Sequence, residues 1–277
     1  MFGTTFAHIL MRRRPFLLLV LMVLAAAPSL STTLPSKYDQ TVPYYSPEGE
    51  LLQLKYSALC SEKSESTLSC RKITGRNGEE AWAVAALGRN GRFNCHYIGG
   101  GVLVGFVGYS PDVVDVLNSV IGLPGGIICA AGGAEEAEDL AARNVERVIT
   151  KIRDDNTRRA FGSGVRVRGV TVVVVGGGRA YTVSAGGQVK EVVGGARWGG
   201  RWGKGELIED WRNSKALSAL QDVMMGAPQA DVAAADEDGE DDAEGSLDNA
   251  RLWIVMGAAV EEIDKERVQK LLKTLPR

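Results

Sequence analysis

Between residues 165 and 193 three apolar runs, 165–175, 180–184 and 188–193, are separated only by Gly176-Gly177-Gly178 and Ala185-Gly186-Gly187. A parallel crossover needs a dozen residues or more, so neighbours joined this tightly must pair antiparallel. That restriction excludes a doubly wound parallel sheet here. It also excludes a dinucleotide fingerprint at Gly176-Gly177-Gly178, because Tyr181 stands at the third glycine position and the next segment reads as strand, with no helix N-terminus for a pyrophosphate. Gly203-Lys204 fails as a phosphate loop for a similar reason: Gly205 replaces Ser/Thr and Trp198 stands where the first glycine belongs. Both glycine runs are expected to be tight turns.

The remaining chain alternates strands and helices. Ser46-Pro47-Glu48-Gly49 is a turn that launches a short amphipathic helix over 51–59. Runs at 82–87 and 92–98 flank Gly88-Arg89-Asn90-Gly91, whose Asn-Gly pair predicts a hairpin, and 102–107 is a further strand. Ser110 is the expected N-cap of a helix with Pro111 in its first turn, ending near 121. A long helix is expected over 134–161, with Ala137, Leu140, Ala141, Val145, Val148, Ile149 and Ile152 on one face and Glu135, Glu136 and Glu138 near its start, where the macrodipole favours acids. Residues 204–225 read as helix through Leu207, Ile208, Trp211, Leu220, Val223 and Met224; 252–256 reads as strand. Residues 261–275 read as helix with Ile263, Val268, Leu271, Leu272 and Leu275 inward. The expected class is α/β of the α+β kind, two antiparallel sheets face to face and covered by helices.

Residue types narrow the chemistry. Of two histidines, His8 lies in a leader-like segment, leaving His96 as the only imidazole of a mature chain; a zinc site of two or three histidines cannot be built, and a Ser/His/Asp triad could run only through His96. Cys60, Cys70, Cys95 and Cys129 show no C-x-x-C spacing. No metal or other cofactor is expected. Nine acids and no base lie between 231 and 250, and setting them aside takes the net charge from -2 to +7. Such a run repels itself and reads as a solvated insertion; it lacks the EF-hand spacing. The other positive charges are scattered without an aromatic-interleaved stripe, so no nucleic-acid partner is expected.

Residues 1–37 read as an address. Arg12, Arg13 and Arg14 precede an apolar run over 16–27, and no acid appears before Asp39. Twelve apolar residues match the central region of a secretory signal or short anchor better than a spanning helix, with Ala25-x-Ala27 or Ser29-Leu30-Ser31 as cleavage sites. A mitochondrial presequence and an unused extension are the other readings. No N-x-[ST] sequon occurs. Membrane contact is expected only through an uncleaved leader.

Residues 38–57 carry a denser pattern, Tyr38-Asp39 followed by Ser46-Pro47, Gly49, Leu51, Gln53 and Tyr56. This resembles the N-terminal signature of proteasome α-type subunits, YDxxxxxFSPxGRLxQVEYA, at unchanged spacing, with Tyr45 for Phe, Leu54 for Val and Ser57 for Ala. The departures are Gln40 and Glu50 where the family usually has Arg, and Lys55 where it has Glu. Later stretches are similar to the family in order: 105–117 to its first long helix and preceding strand, 169–175 to its G-V-S strand, 184–187 to its D-P-S-G hairpin, and 252–272 to its last strand and helix. The resemblance covers 38–277, the expected folded body.

The resemblance implies a four-layer αββα sandwich of the N-terminal-nucleophile hydrolase type, non-catalytic, in a seven-membered ring that admits polypeptide substrates to the catalytic rings. It implies other α- and β-type subunits as partners, and cytoplasm and nucleus as location, against which the leader competes. Tyr38, Asp39, Pro47 and Tyr56 would make gating and ring contacts, with Ser46, Gly49, Leu51 and Gln53 in support. Between Cys95 and Val102 the family's stretch with a pocket lysine is missing. Two other readings stand: a paralogue outside the proteasome acting as a secreted or organellar binding protein, and an active hydrolase with Thr32 or Thr33 uncovered as nucleophile. Against the latter, the expected start of the first sheet strand, Glu79-Glu80-Ala81-Trp82, offers no Thr, Ser or Cys, and no lysine lies between Lys72 and Lys151.

Overall fold

Four consecutive valines divide the interior. In β5 (Val170–Gly176), Val173 and Val175 point into one apolar core while Val172 and Val174 point into another, so the strand is buried on both faces. The computed structural model describes residues 44–74, 78–88, 95–129, 133–162, 166–200, 203, 205–207, 216–226 and 249–274. Among them the chain is α+β, with two antiparallel sheets and five helices. In order these are α1 (Leu52–Glu62), β1 (Thr67–Thr74), β2 (Glu80–Leu87), β3 (Cys95–Gly99), β4 (Val102–Gly108), α2 (Ser110–Ile121), α3 (Ala134–Phe161) and β5. Then follow β6 (Arg179–Val183), β7 (Val189–Glu191), β8 (Gly195–Gly199), β9 (Glu206–Leu207), α4 (Ala216–Gly226), β10 (Arg251–Met256), β11 (Ala259–Glu262) and α5 (Lys265–Thr274).

One sheet has the strand order β11-β10-β2-β1-β8-β9, the other β3-β4-β5-β6-β7. The first core joins the two sheets: Leu68, Trp82, Val84, Trp198 and Trp253 from one meet Leu103, Val107, Val173 and Val175 from the other. A second core sets Val104, Phe106 and Val172 against Val116 of α2 and Val148 and Ile152 of α3. A third sets Ala83, Ala85 and Leu252 against Leu220 of α4 and Val268 of α5. The meander is as expected, antiparallel through β4, β5, β6 and β7. Gly177 and Gly178, at φ +54° and +74°, form the two-residue turn between β5 and β6, a conformation that side chains with a Cβ resist.

Several expectations are corrected. No hairpin joins β2 to β3. Both edges of β2 are already taken, by β1 (Ser69↔Ala85) and by β10 (Trp253↔Val84), and β3 pairs with β4 in the other sheet. The chain therefore crosses between sheets where the Asn-Gly signal predicted a return; Asn90 and Gly91 themselves lie outside the described residues. Neither β1 nor β8 was expected, and Trp198 packs in the core between the sheets. Residues 206–207 are strand rather than helix, pairing Leu207 with Ala196, after Gly203 and Gly205 adopt positive φ; the next described element is the helix that starts at Ala216. Glu261 and Glu262 belong to β11, which turns back on β10 through Gly257, so the last helix starts at Lys265. Ser110 is the first helical residue of α2 and Tyr109 its cap, with no side-chain capping bond. The leader, Thr32, Thr33, Tyr38, Asp39, Ile208, Trp211, Leu275 and residues 231–248 of the acidic run lie outside the described residues.

Candidate functional site

The described part of the signature segment is a closed turn followed by a docked helix. Ser46 accepts the N–H of Gly49 on its carbonyl at 2.8 Å, its own N–H reaches the Glu50 carbonyl at 2.8 Å, and its hydroxyl accepts the Glu50 N–H at 3.2 Å. Ser at the first position, Pro47 at the second and Gly49 at the fourth suit a tight turn, and Gly49 takes φ +81°. Ser46 is buried, whereas Pro47 is exposed. Leu51 precedes α1 in extended conformation, and Leu51 and Gln53 are half-buried.

The helix presents unlike faces. Leu54 packs with Ala160, Val167 and Ala185, and the buried Ser57 hydroxyl donates to the Arg168 carbonyl at 3.0 Å. Tyr56 stays 44% exposed on α1, and Tyr44 and Tyr45 ahead of it are 62% and 59% exposed. Glu50 and Lys55, two of the departures from the α-type pattern, pair with each other at 2.7 Å. Both side chains of the pair are exposed. Its worth in stability is small at such exposure.

Behind α1 lies an ionic network that sequence reasoning missed. Asp112, buried in the first turn of α2, accepts the Gly169 N–H at 2.7 Å and binds Arg166 through both carboxylate oxygens. Asp115, one turn on, takes Arg168 at 2.9 Å and Arg159 of α3 at 2.8 Å. Burial alone would raise the Asp115 carboxyl, but Arg168, Arg159 and Arg166 outweigh it and hold it below its ordinary value. The Asp112 bond also raises Arg166, whose guanidinium lies 5.7 Å from the centroid of the Tyr109 ring. The available signal was spacing: Asp112 and Asp115 share a helix face, and Arg166 and Arg168 share one side of an extended segment.

Other sites bear on chemistry. The first strand of the sheet begins at Thr67 rather than at Glu79 to Trp82, so a threonine does stand there. It is 1% exposed. His96 is half-buried beside Phe106, ring centroids 6.2 Å apart; burial and then the charge of Arg251 push it below its ordinary value. Burial pushes the Cys70 and Cys95 thiols well up, which makes them unreactive. Among the described residues all four cysteines are free, and no group of three or more His, Cys, Asp or Glu is placed to hold a metal ion. No described helix is long and apolar enough to cross a membrane. A concave surface of about 300 Å³ lies beside the β5–β6 turn, lined by Glu138, Asp139 and Glu146 of α3 with Arg179 and Tyr181.

No protein-family model matches the chain, and no curated protein matches it.

Proposed function

We propose that the chain is a non-catalytic, α-type-like subunit of a proteasome core particle, contributing to ring assembly and substrate gating in protein degradation. On this reading the two sheets and five helices of the described residues form a four-layer αββα sandwich. The three separate cores, one between the sheets and one under each pair of helices, support it. The observation that carries the functional reading is the signature segment itself. Ser46 to Glu50 is locked as a turn, α1 is anchored through Leu54 and Ser57, and Pro47, Tyr45 and Tyr56 face outward, where a neighbouring subunit would meet them. The Glu50–Lys55 pair adds support, since two departures from the pattern compensate each other. Tyr38 and Asp39 complete the proposed gating group; other α- and β-type subunits are the partners, and polypeptide substrates pass the ring. The location proposed with it is cytoplasm and nucleus.

The leader favours a second reading, a paralogue outside the proteasome acting as a secreted or organellar binding protein, because three arginines ahead of an apolar run form an export-like address. Native mass and native N-terminus, measured on the protein isolated from its own cells, separate the two. Co-migration with rings of α- and β-type subunits is expected. A cleaved, lumenal monomer would sink the proteasome reading, and a mature N-terminus at Thr32 or Thr33 that reacts with a threonine-directed electrophile would replace it with a hydrolase.

A further inference from the structure

We propose that Asp112 is a positioning residue for α1, acting through the single peptide group between Arg168 and Gly169. The C=O of Arg168 and the N–H of Gly169 belong to one rigid plane. Asp112 accepts from its N–H end at 2.7 Å, and Ser57 donates to its C=O end at 3.0 Å. Rotation of that plane breaks both bonds together.

The helix lies along this segment. Leu54 packs against the apolar cluster that includes Val167, Ser57 bonds to Arg168, and Cys60 sits over Gly169, where an added Cβ would lie 2.8 Å from the Cys60 Cβ. Positions 54, 57 and 60 form one helical stripe, and 167, 168 and 169 are its floor. The floor is held from behind: Arg166 grips both oxygens of Asp112, Arg168 is fixed by Asp115 at 2.9 Å and reaches Asn156 at 3.4 Å, and Tyr109 donates its N–H to the Gly169 carbonyl at 2.8 Å. Charge-assisted bonds from a buried carboxylate are the strongest of this set, so the orientation of the peptide plane follows Asp112. Ser57 stands where the α-type pattern has Ala, and its hydroxyl supplies the link from that plane to α1.

The inference rests on the ring-contact reading only for what a positioned α1 does next. The test is hydrogen exchange on the full chain as wild type, Ser57→Ala, Asp112→Asn and the double variant. Each single change is expected to speed exchange in 52–62 by about fivefold, the worth of one net hydrogen bond, with β1 and β2 unchanged. The double variant should exceed neither single. Wild-type exchange of α1 in Asp112→Asn, or effects that multiply in the double variant, would overturn the proposal. Where Asp112→Asn does not fold, Arg166→Gln replaces it in the cycle with the same expectation, and an unaltered α1 overturns it equally. Ring co-purification of the same variants is scored separately: α1 that loosens without loss of ring association removes the ring reading and leaves the positioning role standing.

Discussion

Trp82 of one sheet donates its indole N–H to the carbonyl of Gly178, in the hairpin turn of the other sheet, at 3.0 Å. The bond ties the two sheets at one end of their shared core, where Trp82 is 3% exposed. An indole donor buried this deeply needs a partner, and a turn carbonyl supplies one. Trp82→Phe removes the bond and part of the ring, so a loss of about 1–3 kcal/mol in urea unfolding is expected, the sum of a net hydrogen bond and a modest cavity. An unchanged midpoint would show that the tie is not structural.

Asp222 of α4 makes a comparable tie on the opposite face of the same sheet. It accepts from Ser69 at 3.1 Å, from Arg71 through two nitrogens and from Arg197 at 3.3 Å, and it is 4% exposed. Asp222→Ala leaves the largely buried Arg71 guanidinium without this carboxylate. A loss of about 3–5 kcal/mol is expected, because an uncompensated buried charge costs more than the pair contributes. Chemical denaturation of Asp222→Ala beside Ser69→Ala checks this, the serine change being expected to cost only about 1 kcal/mol.

That cluster also explains why part of the fold was hidden in the sequence. In β1, Leu68 and Cys70 point into the core between the sheets, but Ser69 and Arg71 point the other way and donate to Asp222, some 150 residues later. Local periodicity cannot register a polar face whose partner is that distant. By contrast α3 was legible to both ends, since its apolar stripe repeats over 28 residues between Gly133 and Gly162. The Asn-Gly signal misled because a turn preference is worth little against two full strand partners for β2. At the candidate site, Ser46, Pro47 and Gly49 were readable as a turn, whereas the partner of Ser57 lies 111 residues away.

Gly177 marks where α3 approaches the β5–β6 turn. Its φ is +54°, and an added Cβ would stand 2.6 Å from the Ala142 nitrogen. Gly177→Ala therefore combines a left-handed backbone, costing roughly 1–2 kcal/mol, with an overlap against helix backbone, costing roughly 1–3 kcal/mol. A lowered melting temperature is expected, with Gly178→Ala milder, since only the Glu138 carboxylate lies near that position, at 3.5 Å. Equal effects at the two positions would contradict the close approach.

Acid should weaken the fold in two windows. Burial and the charge of Arg251 push His96 below its ordinary value of 6.5, so the unfolded chain takes up that proton at higher pH than the folded one. The contribution is complete above 6.5 and declines as pH falls below it. Asp115 is also depressed, and its contribution is lost at lower pH, as its carboxyl finally protonates in the folded state. Unfolding measured across the acid range should show His96→Gln flattening the upper window alone. Identical profiles for wild type and variant would remove His96 from the account.

The outward tyrosines test whether the signature segment meets a neighbour. Tyr45 is 59% exposed, so truncating it should change the stability of the isolated chain by no more than about 0.5 kcal/mol. A subunit boundary imposes a different scale, because buried tyrosines at interfaces often cost about 2 kcal/mol or more when truncated, roughly a thirtyfold loss of affinity. Tyr45→Ala should therefore keep the wild-type melting temperature yet lose ring association in native mass spectrometry of co-expressed α-type subunits, and Tyr56→Ala should lose ring association likewise. Pro47→Ala should act in the same direction through the turn, whose direction the proline ring presets. If all three variants associate as wild type does, α1 is not a ring contact, and Tyr45, Tyr56 and Pro47 serve only as the solvent face of a packed helix and its leading turn.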